Sequence, residues 1–328
     1  METQKILIVG GTGFIGANLA RFFYSKGYDI AVTLRNQSNR WRIDDIEKDI
    51  NVFQLDITDA SQVSAIFRTY RPNIILHTAV YGGYHFERDV RKIFDVNLIG
   101  ISNILEAFVR SNAEILINAG SSSEYGLRDT PMSEKDILEP LGPYAVSKAA
   151  ATLYSRSKAV ETNRNIITLR LFSPYGYFEE SHRLIPYLLS SIIKGETPEM
   201  NDPNNVRDFI FIEDVCRAYE LVINNTDRID IGGIFNLGSG KETKVEEIIN
   251  TINKIADTKL NIDWRYGNER MGDKASCWVA DMSKTNKILN WKSRYSLEEG
   301  LSKTYYWFKR NISKYEVIEN SKARKYSK

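Results

Sequence analysis

Six short β-branched runs punctuate the first half of the chain, and what separates them constrains the fold more than any other feature. Residues 5–9 (KILIV), 29–34 (DIAVTL), 51–55 (NVFQL), 73–77 (NIILH), 114–118 (EILIN) and 166–171 (IITLRL) are each short, apolar and bounded by turn residues. Helical patterns fill 14–26, 60–70, 89–111 and 144–162. A strand that reads as apolar throughout must be covered on both faces, and helices between such strands supply the cover. This predicts an α/β chain with a doubly wound parallel sheet.

Beyond Phe172 the rhythm breaks. One helix at 184–194, strands at 207–212 and 233–237, a helix at 243–256, and a strand and two helices within 276–308 are expected. We assign 1–172 to the parallel-sheet domain, with 206–238 returning to it. Residues 173–205 and 239–315 form a smaller, discontinuous lobe, and the basic stretch 316–328 reads as a flexible tail.

Composition narrows the function mainly by exclusion. Lys and Arg number 44 against 42 Asp and Glu, a net charge of +2 with no long block of one sign, so the electrostatic footprint of a nucleic-acid binder is missing. No apolar run approaches the roughly 18 residues of a membrane span, and METQKILIVGG shows no signal-peptide pattern, so a cytoplasmic protein is expected. Cys216 and Cys277 lack any metal-ligand spacing, and so do His77, His85 and His182; no metal is expected. His77 ends a strand and reads as a satisfied core group, whereas His182 could touch a substrate.

The first strand runs into Gly10-Gly11-Thr12-Gly13-Phe14-Ile15-Gly16. In such a turn Gly10 permits the tight reversal, Gly13 lets a pyrophosphate approach, and Gly16 allows close helix–strand packing. The N–H groups opening the helix at Phe14 and Ile15 then face the phosphates. An acidic residue at the end of the second strand would bind the adenosine ribose, but Leu34-Arg35-Asn36 stands there. Arg35, with Ser38 and Arg40, offers groups for a 2′-phosphate, which favours NADP(H) while leaving NAD(H) possible. Asp56 could accept from the adenine amino group or simply cap the turn before Thr58.

Pro143-Tyr144-Ala145-Val146-Ser147-Lys148 opens a helix and puts Tyr144 and Lys148 on one face. A phenol of pKa about 10 needs help to move protons at neutral pH, and an adjacent ammonium lowers it. Ser121, at the C-terminal edge of the sheet, could hold the oxygen that Tyr144 protonates, or merely cap its own loop.

Together GGTGFIG at 10–16, LDITD at 55–59, HTA at 77–79, SSSEYG at 121–126, PYAVSK at 143–148, LFSPYG at 171–176, RLIP at 183–186, RDFIFIEDV at 207–215 and RMGD at 270–273 resemble the extended short-chain dehydrogenase/reductases, the NAD-dependent epimerase/dehydratase family of nucleotide-sugar enzymes. The resemblance implies Tyr144 as acid/base, Lys148 as the group lowering its pKa and holding the nicotinamide ribose, and Ser121 as the donor to the sugar oxygen. It places Ile57, Thr78, Ala79 and Ser173 beside the cofactor. Ser122, Ser123, Arg183, Leu184, Arg207, Arg270 and Asp273 fall where the family binds its nucleotide sugar. It also implies a homodimer through a four-helix bundle of 89–111 and 144–162.

Two departures refine the expectation. Family dehydratases carry an acidic pair after the catalytic Ser/Thr; here Ser122 and Ser123 take those places, and Glu124 comes one position late unless the loop shifts. The aromatics of Tyr81-Gly82-Gly83-Tyr84-His85 could line a sugar pocket or form a packed loop. The leading expectation is therefore an NADPH-dependent reductase of a nucleotide-linked 4-keto sugar. The alternative is a C4 epimerase or C4 dehydrogenase with retained NAD. A 4,6-dehydratase and a non-catalytic cofactor sensor rank below both.

Overall fold

The computed structural model describes residues 3–84, 86–265 and 276–326. Strands β1 (Lys5–Val9), β2 (Asp29–Leu34), β3 (Asn51–Gln54), β4 (Ile74–His77), β5 (Ile115–Ser121) and β6 (Asn165–Leu171) fall where the apolar runs predict them. Helices α1 (Phe14–Tyr24), α2 (Ala60–Tyr70), α3 (Val90–Phe94), α4 (Gly100–Val109) and α5 (Gly142–Thr162) lie between them. A π-helical turn, Asp95–Ile99, joins α3 to α4. Short strands β7 (Ser173–Tyr175), β8 (Glu199–Met200), β9 (Val206–Arg207) and β10 (Phe209–Phe211) follow, with α6 (Leu184–Lys194) and α7 (Ile212–Asn224). The chain ends with β11 (Ile234–Leu237), β12 (Thr243–Lys244), α8 (Val245–Ala256), β13 (Asp263–Trp264), α9 (Ser283–Leu289) and α10 (Leu297–Tyr326). The last helix carries the backbone to Tyr326, through most of the stretch the sequence reading left as a tail.

Seven parallel strands form the main sheet in the order β3-β2-β1-β4-β5-β6-β11. The strand order reverses between β1 and β4, which opens the crevice where ligands of doubly wound sheets bind. Because successive strand residues point to opposite faces, each strand feeds two cores. Ile6, Ile8, Ile74, Leu76, Ile115 and Ile117 pack on one side with α1, α6 and α7. Leu7, Val9, Ile75 and Leu116 pack on the other beneath α2, α4 and α5. Burial on both faces explains why the middles of these strands are mostly apolar; the site begins at their C-terminal ends.

Candidate active site

The glycine turn crosses the top of β1 beside the switch point. Gly10 has φ +90°, and a Cβ there would stand 2.7 Å from Ala79 N. A Cβ on Gly16 would lie 2.4 Å from Gly10 O and 2.9 Å from Thr78 Oγ1, so only glycine lets α1 start this close to the sheet. A Cβ on Gly13 would meet only Gly10 O, at 3.3 Å. No side chain caps α1 at Gly13, so its first-turn N–H groups, those of Phe14 and Ile15 included, are left for an external acceptor. An uncapped helix opening on a bare glycine cradle fits a dinucleotide pyrophosphate. Thr78 closes the opposite wall, with its hydroxyl donating to Val9 O at 3.0 Å.

The residues expected at the adenosine end are arranged differently. Arg40 pairs with Glu47, and the Ser38 hydroxyl accepts from Arg35 N at 3.1 Å. That leaves Arg35, exposed at the end of β2, as the one group of the three not committed to its own loop in this way. Asp56 accepts from Thr58 N at 2.9 Å and Thr58 Oγ1 at 2.7 Å, the turn-capping alternative. The side chain of Ile57 packs against Gly100 in the core, so only its backbone remains for a ligand. Arg42, which sequence reasoning missed, ties this region together. It donates to Phe178 O at 2.7 Å and Thr12 O at 3.3 Å, and pairs with Glu180 at 2.6 Å. Nothing local in the sequence marks it, because all three partners are remote or backbone groups.

Ser121, Tyr144 and Lys148 come together at the C-terminal edge of β5. Lys148 is buried and donates to Ala119 O at 2.6 Å. Ser121 caps its own loop, its hydroxyl accepting from Ser123 N at 3.2 Å, and it also faces Tyr144, whose pKa it lowers. Burial pushes the Tyr144 phenol above its ordinary value; the Ser121 hydrogen bond and the Arg183 charge oppose that rise. A charge that works against burial here is Arg183, at the N-terminus of α6. Burial likewise lowers the Lys148 pKa, countered by Glu124.

The loop after β4 packs on this centre. A Cβ on Gly83 would lie 3.8 Å from Tyr144 Cε2. Tyr84 stacks on Phe86, and His182 meets both edge-on, at 4.6 and 5.2 Å between centroids. Asn97, in the π-helical turn, fixes the loop: it accepts from Tyr81 N, and donates to Tyr81 O and Ser147 Oγ at 2.7 and 2.9 Å. His77 departs from expectation. It is buried with Nδ1 unpartnered, so it is not a satisfied core group, and burial beside Lys148 drives its pKa down to about 3.

On the lobe side, Trp278 donates from Nε1 to Ser122 Oγ at 3.1 Å and carries the Arg207 guanidinium 5.0 Å above its ring. Ser123 is half-buried beside them, and Leu184 opens α6 next to Arg183. Ser173 starts β7 opposite Phe209, its N–H on Asp208 O at 2.9 Å. Asp208 is fully buried and gathers the lobe: Ser239 N and Oγ reach one oxygen at 2.6 and 2.7 Å, Gly240 N and Ala280 N the other at 3.0 and 3.1 Å. Arg270, Asp273 and His85 lie outside the described residues. Glu124 is fully buried against Arg170 beneath α5, so no small loop shift brings it to a substrate.

A family model, the NAD-dependent epimerase/dehydratase family, matches residues 6–238. The chain belongs to that family. It is 30% identical to a UDP-glucuronate 4-epimerase of Thermodesulfobacterium geofontis, over 97% of this chain and 99% of the relative. It is 27% identical to a UDP-glucose 4-epimerase of Lactobacillus helveticus, over 95% and 99%. Among solved structures, an epimerase of Methanothermobacter thermautotrophicus superposes with a TM-score of 0.87 at 26% identity, covering 97% of this chain and 95% of that one. The protein is thus an enzyme of the extended short-chain dehydrogenase/reductase type acting on nucleotide sugars. Among the described residues, no helix is long and apolar enough to cross a membrane, and no group of three His, Cys, Asp or Glu could hold a metal ion.

Proposed function

We propose that the enzyme is a nucleotide-sugar C4 epimerase that retains NAD, the alternative of the sequence reading in place of its leading reductase. The observation that carries this over an elimination is the approach of Ser121 to Tyr144 beside Lys148, with Glu124 buried behind them. That set moves a proton on a sugar oxygen, and the neighbouring Glu124 is spent on Ser121 N, Thr152 and Arg170 instead of open to a substrate. The names of the relatives point the same way. Engagement of Arg40 and Ser38 within their own loop weakens the case for a 2′-phosphate and favours NAD.

Gly10, Gly13, Gly16 and the N-terminus of α1 would hold the pyrophosphate, and Lys148 the nicotinamide ribose. When bound, the nicotinamide supplies a reversible hydride acceptor. Tyr144 takes the proton of the sugar C4 hydroxyl and later returns it, while Ser121 holds that oxygen in line. Arg183 tempers the burial of Tyr144, so the phenol ionises at less cost than its surroundings alone would impose. Arg207, on Trp278, suits the diphosphate, and binding there orients the sugar ring without contributing to the chemical step.

The same reading includes a homodimer. Val146, Leu153 and Val160 stand two turns apart on α5, and they are 39%, 54% and 60% exposed. Ile99, 50% exposed, lies just before α4. An apolar stripe on the two helices expected to pair supports a four-helix interface.

The test is incubation of the purified protein with UDP-glucose or UDP-glucuronate and no added cofactor, with mass spectrometry of the dinucleotide it releases. Catalytic interconversion at C4 with tightly held NAD is expected. Stoichiometric consumption of added NADPH by a 4-keto sugar, without epimerisation, would restore the reductase.

A further inference from the structure

The family resemblance gives Glu124 no part, and the sequence reading found it out of place. Its side chain nevertheless makes the densest set of contacts next to the reacting groups. One carboxylate oxygen accepts from Ser121 N at 2.8 Å and from Thr152 Oγ1 at 2.9 Å; the other accepts from Arg170 Nε at 2.8 Å. Arg170 then donates to the Tyr125 hydroxyl at 2.9 Å, which donates to Asn236 Oδ1 at 2.7 Å. Every residue in this chain is buried. The approach even determines the residue before Ser121, since a Cβ on Gly120 would stand 2.9 Å from Glu124 Oε1.

We infer that Glu124 is a positioning residue: it grips the Ser121 amide at the end of β5 so that the serine hydroxyl stays facing the Tyr144 side of the site. The end of β5 is held from two directions, by Lys148 on Ala119 O and by Glu124 on Ser121 N. Ser121 is the last residue of the strand, and its N–H is directed away from the sheet ladder toward the carboxylate. Without that acceptor, the residue bearing the hydroxyl would be free to rotate at the point where a small displacement costs turnover.

The buried charge also reaches the acid/base pair. The groups facing Tyr144 are Ser121 from β5, Arg183 from α6, Glu87 from the loop after β4 and Glu124, with Lys148 on its own helix and His77 from β4 beside Lys148. Glu124 raises the pKa of both Tyr144 and Lys148. Neutralising it lowers both.

This inference rests on the proposed role of Ser121 and Tyr144. The test therefore follows product formation for kcat and, within a single turnover, nicotinamide absorbance, which reports hydride transfer whether the enzyme epimerises or reduces, alongside hydrogen exchange at the Ser121 amide. For Glu124→Met in the holoenzyme, which removes both the charge and the acceptor, kcat should fall about tenfold to a hundredfold, with KM and cofactor retention within about twofold. Both limbs of the kcat–pH profile should move to lower pH, and the peptide spanning Ser121 should exchange faster. Should that variant not fold, Glu124→Met with Arg170→Met leaves no buried charge unpaired and reads the same quantities. A folded variant with wild-type kcat and pH profile overturns the inference. So does a uniform loss of kcat, KM and cofactor together, which marks a merely structural residue. A wild-type protein that transfers hydride without epimerising refutes the epimerase alone; one that transfers none with any nucleotide sugar refutes both.

Discussion

Replacing Asp208 with asparagine isolates the junction at which it holds Ser239, Gly240 and Ala280. The carboxylate receives four hydrogen bonds in a site with no exposure, two on each oxygen. A carboxamide of the same size has one acceptor oxygen. The least costly arrangement turns that oxygen to Gly240 N and Ala280 N and lets the new NH₂ donate to the Ser239 hydroxyl. Ser239 N is then a buried donor with no partner, at about 1–3 kcal/mol, and the surviving bonds lose the assistance of a charge. The total should be about 2–4 kcal/mol, a large part of the ~5–15 kcal/mol that holds a typical domain folded. Urea unfolding of wild type and Asp208→Asn measures it directly, through a lowered midpoint at unchanged slope. Because Arg207 precedes Asp208 and Trp278 lies two residues from Ala280, KM for the nucleotide sugar should rise more than kcat falls. A stability change below about 1 kcal/mol would refute the reasoning, since it would mean the four donors are satisfied without the charge.

Further expectations are direct. Gly16→Ala should abolish dinucleotide retention, seen by mass spectrometry of the native protein, because its Cβ would stand 2.4 Å from Gly10 O. Tyr144→Phe should still bind the dinucleotide and lose turnover by at least about a hundredfold, within the range for removing a general acid/base. Glu179, buried at the start of the loop to α6, has its pKa pushed up to about 8 by desolvation, with Arg183 opposing. A carboxyl whose folded pKa lies above its unfolded one stabilises the protein fully below the unfolded value, and that contribution is lost as pH rises through the folded one. Denaturant midpoints should thus decline between about pH 4.5 and 8, and Glu179→Gln should flatten that slope. Leu153→Glu should lower the mass seen by light scattering from dimer to monomer; an unchanged mass would dismiss α5 as the interface.

The main sheet was legible because its strands are buried on both faces, which leaves long apolar runs that no other architecture needs. Tyr144 and Lys148 were legible because helical periodicity alone puts them on one face. The glycine turn was legible because Gly10 and Gly16 stand where a side chain does not fit. Glu124 could be read only as displaced, and its burial against Arg170 depends on a partner 46 residues away on the neighbouring strand. Trp278, Arg42 and Asn97 carried no sequence signal for the same reason, and Asp208 only that of its motif: each acts on backbone or side chains brought in from other elements.

What the sequence alone determined was therefore whatever has a local cause: periodicity, steric exclusion at glycine, and residues four apart on a helix. Tertiary structure decided which charges face which groups. Whether Arg40 waits for a phosphate or pairs with Glu47, and whether Arg183 reaches Tyr144 at all, are such questions. Electrostatic energy depends on distance through space and on the surrounding dielectric, and a sequence specifies neither until the chain has folded.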